Sequence, residues 1–273
     1  MPPGESRLIV HADDFGETIE ITKGICAAIV GGAVTSTTIM ANMPGTLDAL
    51  RRATALEDRA SFGVHLNLCE GRPLTHGVTL MDEQGNFCRK RTLFLRSVSG
   101  RLSVADVEHE ISAQIARVRD AGIRISHIDG HKHLHQLPVV ASAVAAVLPR
   151  FGIERVRLTR LRRLTAVRRP ATLIRELLAI PARRHFKNAG LRFPWRVADL
   201  QDLMLAQSPV QAGAELREPR GVVEVFCHPG TAQADIDKPG SCVRHAELLF
   251  LLAESFRELV RAQGLRLVSY WEI

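Results

Sequence analysis

The chain has no Cys-x-x-Cys pair. Its five cysteines (Cys26, Cys69, Cys88, Cys227 and Cys242) are odd in number and scattered. That argues against both a disulfide framework and a cysteine-built zinc site. No apolar run approaches the ~18 residues needed to cross a bilayer. The opening Met-Pro-Pro-Gly-Glu-Ser-Arg is too polar to read as a secretory signal. The expectation is a cytoplasmic protein, at most peripheral to an inner membrane. No Gly-x-Gly-x-x-Gly follows the first apolar run and no Walker loop occurs, which speaks against a dinucleotide or P-loop site. No sequence unit recurs.

What is present is a long alternation of β-branched runs and amphipathic stretches. At 273 residues and 46% hydrophobic, the chain can bury a full core. Strands are expected at 7–10, 34–41, 61–68, 123–129, 153–158, 221–226 and 265–269. Helices are expected at 18–30, 46–56, 104–120, 138–148 and 171–180, with one long helix over 242–263. Ser103 reads as a helix cap, Gly31-Gly32 as a stop and Pro138 as a first helical residue. Strands alternating with helices imply a parallel sheet. The expected fold is α/β: a single domain over 1–273, a deformed (β/α) barrel of about seven parallel strands, with insertions at about 69–103 and 155–220.

Charge is uneven. The formal net charge is +7, yet residues 155–196 hold 13 Lys+Arg against one acid, Glu176. Such a segment suits an anionic partner, either a peripheral membrane surface or a phosphorylated or lipid-linked substrate, and otherwise a solvated face. It lacks regular basic–aromatic interleaving, so nucleic acid is not expected.

The chemistry-bearing residues sit where apolar runs end. Asp13 and Asp14 follow the first run. Side by side they repel each other unless a proton or cation intervenes, the plainer alternative being a solvated turn in which Asp14 caps the next helix. In Ser61–Leu68, Gly63, His65 and Asn67 share one face, which a barrel could aim into a pocket. His131, His133 and His135 follow the fourth run and His228 a late one. In a parallel α/β fold these loops converge. A carboxylate and two imidazoles there would bind a divalent ion and leave positions for water and substrate.

Five stretches, in order, carry a resemblance: His-Ala-Asp-Asp-Phe-Gly (11–16), Val-Thr-Ser-Thr-Thr (34–38), Gly-Val-His-Leu-Asn-Leu (63–68), His-Ile-Asp-Gly-His-Lys-His-Leu-His (127–135) and Cys-His-Pro-Gly (227–230). Together they resemble the YdjC-like carbohydrate deacetylase family, which includes chito-oligosaccharide deacetylases and a branch associated with hopanoid lipid biosynthesis. The resemblance implies a deformed barrel and a divalent metal held by Asp14, His65 and His131, with Asp13 as catalytic base and His228 as candidate acid. It leaves the roles of His133 and His135 open between supporting a ligand, contacting substrate and packing, with that region also an alternative proton donor to His228. Mixed carboxylate and imidazole ligands favour zinc, with magnesium, cobalt, nickel, iron and manganese open.

The implied reaction is removal of an N-acetyl group from an amino sugar, oligosaccharide or lipid-linked glycan. A homodimer is compatible with it. Three alternatives stand beside this reading. The first is another metal hydrolase or a non-haem iron enzyme on the same two-His-one-Asp set. The second is a thiol hydrolase using Cys227 and His228. The third is a non-catalytic basic module that binds an anionic membrane or ligand.

Overall fold

The structure is a computed structural model that describes residues 6–159, 170–206, 213, 216, 221–237 and 243–273. Among the described residues, seven strands form one parallel sheet with flanking helices, an α/β barrel-like fold. The strands are β1 (Ser6–Phe15), β2 (Ser36–Ile39), β3 (Ser61–Leu66), β4 (Ile125–Gly130), β5 (Arg196–Asp199), β6 (Val222–Cys227) and β7 (Leu265–Leu267). Their order is β4-β3-β2-β1-β6-β5, with β7 also on β1. By its contacts the chain separates into two compact units. One comprises residues 1–39, 44–63 and 194–273, the other 40–43 and 64–193.

In the first unit β1 is the central strand. It pairs in parallel with β2, β6 and β7. Its residues Leu8, Ile9, Val10 and Ala12 are buried without exposure, as expected of a strand covered on both faces. The helix α1 (Ile19–Val30) starts at Thr18, whose hydroxyl accepts from the Ile21 amide, and stops at Gly31. Gly32 follows in the left-handed region that glycine adopts without strain. Next come α2 (Thr46–Thr54), and later α7 (Leu200–Met204) and α8 (Ala232–Asp237). The expected long helix over 242–263 is two helices, α9 (Arg244–Leu252) and α10 (Glu254–Ala262), joined at an extended Ala253. The apolar spacing explains the break. Leu251 and Phe256 are both buried but five residues apart, and five helical steps turn the chain about 140° off one face. Cys242 lies outside the described residues.

In the second unit, α3 (Lys90–Val98), α4 (Val104–Arg119), α5 (Pro138–Val147) and α6 (Pro170–Asn188) accompany β4 and the later part of β3. Ser103 caps α4 through the Asp106 amide, and Pro138 opens α5. The expected strand at 153–158 reduces to isolated bridges, Ile128 with Val156 and Arg155 with Arg192. The expected helix at 171–180 lies within α6.

The stretch 69–103 is not loose. Its turns hang on one stripe of α4, at positions 106, 110 and 114. The Asp106 carboxylate accepts from the Thr79 amide and hydroxyl. Glu110 accepts from the Leu74 and Thr75 amides and the Thr75 hydroxyl. Gln114 donates to the Asn67 carbonyl and to Glu110. Three polar residues at helical spacing thus satisfy backbone groups that the irregular chain would otherwise bury unpaired.

Among the described residues no helix is long and apolar enough to cross a membrane.

Candidate active site

In the first unit, the end of β1 carries the acidic pair. Asp13 and Asp14 do not lie in a loop after the strand, as the sequence suggested. The strand runs on to Phe15, and its register against β2 shifts between Ala12 and Phe15. Asp14 sits at that irregularity with φ of 69°, a left-handed conformation rare outside glycine but tolerated by Asp. Asp14 does not cap α1, since Thr18 does.

Both carboxylates are buried, and each has its own basic partner. Asp13 Oδ1 lies 2.9 Å from His11 Nδ1, and Asp14 Oδ2 accepts from Arg244 Nη2 at 2.7 Å. The repulsion expected of adjacent carboxylates is answered locally.

His228 follows β6. Its Nε2 stands 4.0 Å from Asp13 Oδ2. Asp13 therefore gives one oxygen to His11 and turns the other toward His228. Behind them lies a buried polar chain. Glu224 Oε1 is 3.9 Å from His11 Nδ1, and the Tyr270 hydroxyl donates to Glu224 Oε2 at 2.6 Å. The His228 amide donates to Glu247 Oε2 at 2.5 Å, and Gln201 Nε2 donates to Glu247 Oε1. Asp199 has its carboxyl pushed up, mainly by burial. The Cys227 thiol is buried and donates to the His11 carbonyl, with the sulfur 3.2 Å from the oxygen. A thiol committed to a backbone carbonyl is poorly set to act as a nucleophile.

In the second unit, His65 and His131 lie edge to face with ring centroids 5.5 Å apart. His65 Nδ1 is 2.7 Å from Asp129 Oδ1, and Asp129 Oδ2 is 2.8 Å from Arg157 Nη1, with all three side chains almost wholly buried. A carboxylate on Nδ1 sets the tautomer that puts the lone pair on Nε2, the arrangement typical of metal-binding imidazoles. His131 Nε2 lies 3.2 Å from Glu70 Oε1, and Lys132 also pairs with Glu70. The hydrogen bond from His131, more than that from Lys132, draws the Glu70 carboxyl down to about 2.

The segment His131–Gln136 is neither strand nor α-helix. It is a tight 3-10 turn with Lys132 and His133 in the left-handed region, so the three histidines do not share one face. His135 turns inward, and its Nε2 donates to the Arg157 carbonyl at 2.9 Å. Asn67 does not point into a pocket. Its side-chain oxygen accepts from the Cys69 and Glu70 amides and its nitrogen donates to the Glu70 carbonyl, closing the turn after β3.

Burial holds His135 neutral, with its pKa pushed down to about 4 from 6.5. A histidine that binds fewer protons folded than unfolded contributes fully above pH 6.5. That contribution is lost as pH falls from 6.5 toward 4. Between pH 7 and pH 5 the loss comes to about 2 kcal/mol. Urea midpoints at those two pH values should therefore differ more for the wild type than for His135→Gln. Equal differences in both proteins would show that His135 is not the group responsible.

Among the described residues of the basic region 155–196, not every arginine faces outward. Arg157 is wholly buried in its pair with Asp129, and Arg192 pairs with Glu154. Residues 160–169 of that region lie outside the described residues.

Sequence reasoning did not single out Glu17, Glu70, Asp129, Arg157, Arg244 or Glu247. Asp129 alone carried a signal, as a carboxylate ending a strand two residues before a histidine.

Residues 7–262 match the family described as YdjC-like protein. A carbohydrate deacetylase of Vibrio cholerae serotype O1 (strain M66-2) is 29% identical over 267 residues, which are 97% of this chain and 95% of that one. A carbohydrate deacetylase of Geobacillus stearothermophilus is 37% identical over 161 residues, 58% of this chain and 63% of that one. Among solved structures, one described as a candidate cellobiose-phosphate cleavage protein from Enterococcus faecalis V583 superposes with a TM-score of 0.78. It is 24% identical and covers 98% of this chain and 99% of its own, a likeness of fold. With its motifs in order and the family match spanning nearly its whole length, this chain belongs to the YdjC-like protein family.

Proposed function

We propose that this protein is a metal-dependent carbohydrate N-deacetylase. The observation that carries the reading is the pairing of a buried carboxylate, Asp13, with an imidazole, His228, at 4.0 Å on the ends of neighbouring strands. The relatives aligned over almost the whole chain are named carbohydrate deacetylases, which agrees with that chemistry.

Asp14, His65 and His131 are the proposed ligands. The donor set suits a divalent transition ion or zinc. Two features of the separate units support the assignment: the Asp129 carboxylate that fixes the His65 tautomer, and the buried Arg244 on one oxygen of Asp14. A divalent ion bound there supplies Lewis-acid polarisation of the acyl carbonyl and of a water molecule.

The chain's own groups do the proton work. Asp13, oriented by His11 through Oδ1, takes the proton of the attacking water at Oδ2. His228 gives a proton to the leaving sugar amine. Its backbone amide is pinned by Glu247, and its ring Nε2 stands 4.0 Å from Asp13 Oδ2. The preferred substrate is an N-acetylated amino sugar or its oligosaccharide.

The test is acetate release from N-acetylglucosamine, its β-linked disaccharide, and nucleotide-linked and lipid-linked forms. Metal-loaded and chelator-treated protein are compared. Release that depends on metal and survives Cys227→Ser is the expected result. Metal-independent release abolished by Cys227→Ser would support a thiol hydrolase instead. Iron- and oxygen-dependent turnover without acetate release would support an oxygenase.

A further inference from the structure

We propose that Arg244 and Glu17 form a clamp on Asp14, holding one carboxylate oxygen so that Asp14 meets a divalent cation through the other. The proposal rests on the metal reading above and adds to it the residues that shape the carboxylate ligand.

Arg244 is an unusual residue to bury. Its side chain is 3% exposed, and Nη2 bonds Asp14 Oδ2 at 2.7 Å and Glu17 Oε2 at 3.0 Å. Glu17 is just as deep, at 1% exposure. A buried guanidinium is costly unless its charge is answered and its hydrogens are engaged. Here a single nitrogen bridges two carboxylates. Glu17 offsets the charge of Arg244, so the formal charge of Asp14 remains to attract a cation. Without Glu17, the guanidinium would place an unbalanced positive charge beside any metal on Asp14. The bridged Asp14 also has a left-handed backbone conformation that few residues adopt.

The surrounding chain is built to deliver Arg244. Asp235 accepts from the Arg244 and His245 amides through its two oxygens, at the start of α9. The Gly230 amide donates to the Arg244 carbonyl at 3.1 Å. A Cβ on Gly230 would fall 2.9 Å from Ala234 Cβ and 3.1 Å from Arg244 Cβ, and a Cβ on Gly24 would lie 2.4 Å from Gly230 Cα. The glycine that closes Cys-His-Pro-Gly is therefore where α1, α8 and the Arg244 segment meet too closely for a side chain. This gives the fourth residue of that motif a physical reason that the acid role of His228 does not.

The experiment is calorimetric titration of cobalt(II) and zinc(II) into chelator-treated full-length protein. Wild type, Arg244→Gln, Arg244→Lys and Glu17→Gln are compared, with circular dichroism confirming the fold. Arg244→Gln should weaken binding about 10–100-fold, the usual effect of losing a group that orients a ligand. Arg244→Lys should recover part of the loss, because one cationic nitrogen makes both contacts. Glu17→Gln should also weaken binding. The visible spectrum of bound cobalt should change in Arg244→Gln, a coordination signature that a purely structural role would leave alone.

Unchanged or tighter binding in Arg244→Gln would overturn the clamp. Tighter binding in particular would mean that Arg244 competes with the metal for Asp14. If Arg244→Gln does not fold, Glu17→Gln decides, and unchanged affinity there also overturns the proposal. A wild type that takes up neither ion removes the metal reading and the clamp together. A wild type that binds, with variants that match it, removes the clamp alone.

Discussion

Asp13→Asn should bind metal as the wild type does and lose about 10²–10⁴-fold in turnover, the usual contribution of a general base. The substitution is nearly isosteric. The amide oxygen can still accept from His11 Nδ1, so the local geometry should hold. What disappears is the oxygen facing His228 that can take a proton. Three readouts separate this outcome from trivial ones. Bound metal should remain stoichiometric, because Asp13 is outside the proposed ligand set. The melting temperature should change little. The loss should fall mainly on kcat, because the proton moves in the chemical step. Near-normal turnover in the metal-loaded variant would sink the assignment of Asp13. Loss of metal along with activity would instead move Asp13 into the ligand set.

The readable and unreadable parts of this protein divide along a physical line. Local rules found the ends of elements: Thr18 and Ser103 as caps, Gly31-Gly32 as a stop and Pro138 as a start all depend on one or two neighbouring residues. Periodicity found β1, β2, β4 and β6, because strands buried on both faces read as apolar runs, and it found β3 as an alternation. Periodicity over-ran at 242–263, where helical composition continues but the apolar stripe jumps faces at Ala253.

The site divides the same way. Asp13, Asp14, His65, His131 and His228 stood out because polar residues at the ends of apolar runs are costly without a use. Their partners did not stand out. Arg244 lies 230 residues from Asp14, and Arg157 sits in a run of arginines that reads as a solvated face. A basic residue in a basic stretch carries no mark of which one turns inward. Asn67 misled for a related reason: alternation put it on the face of His65, but a side chain that saturates its own turn is diverted from that face.

Arg157 is where this hidden layer has its largest expected effect on stability. Its guanidinium meets Asp129 Oδ2 at 2.8 Å, with neither side chain exposed. Its backbone is fixed on both sides, the amide donating to Ile128 and the carbonyl accepting from His135. Arg157→Met keeps much of the volume but leaves the Asp129 carboxylate buried with its cation removed. Breaking such a pair from one side costs about 3–5 kcal/mol. The double variant Arg157→Met/Asp129→Asn should be more stable than Arg157→Met alone. Its amide carries no charge, and its oxygen can still accept from His65 Nδ1. Urea denaturation of the two single variants and the double closes the cycle. Additive losses would mean that Arg157 and Asp129 do not depend on each other. Recovery in the double would locate the cost in the stranded carboxylate, the same carboxylate that orients His65.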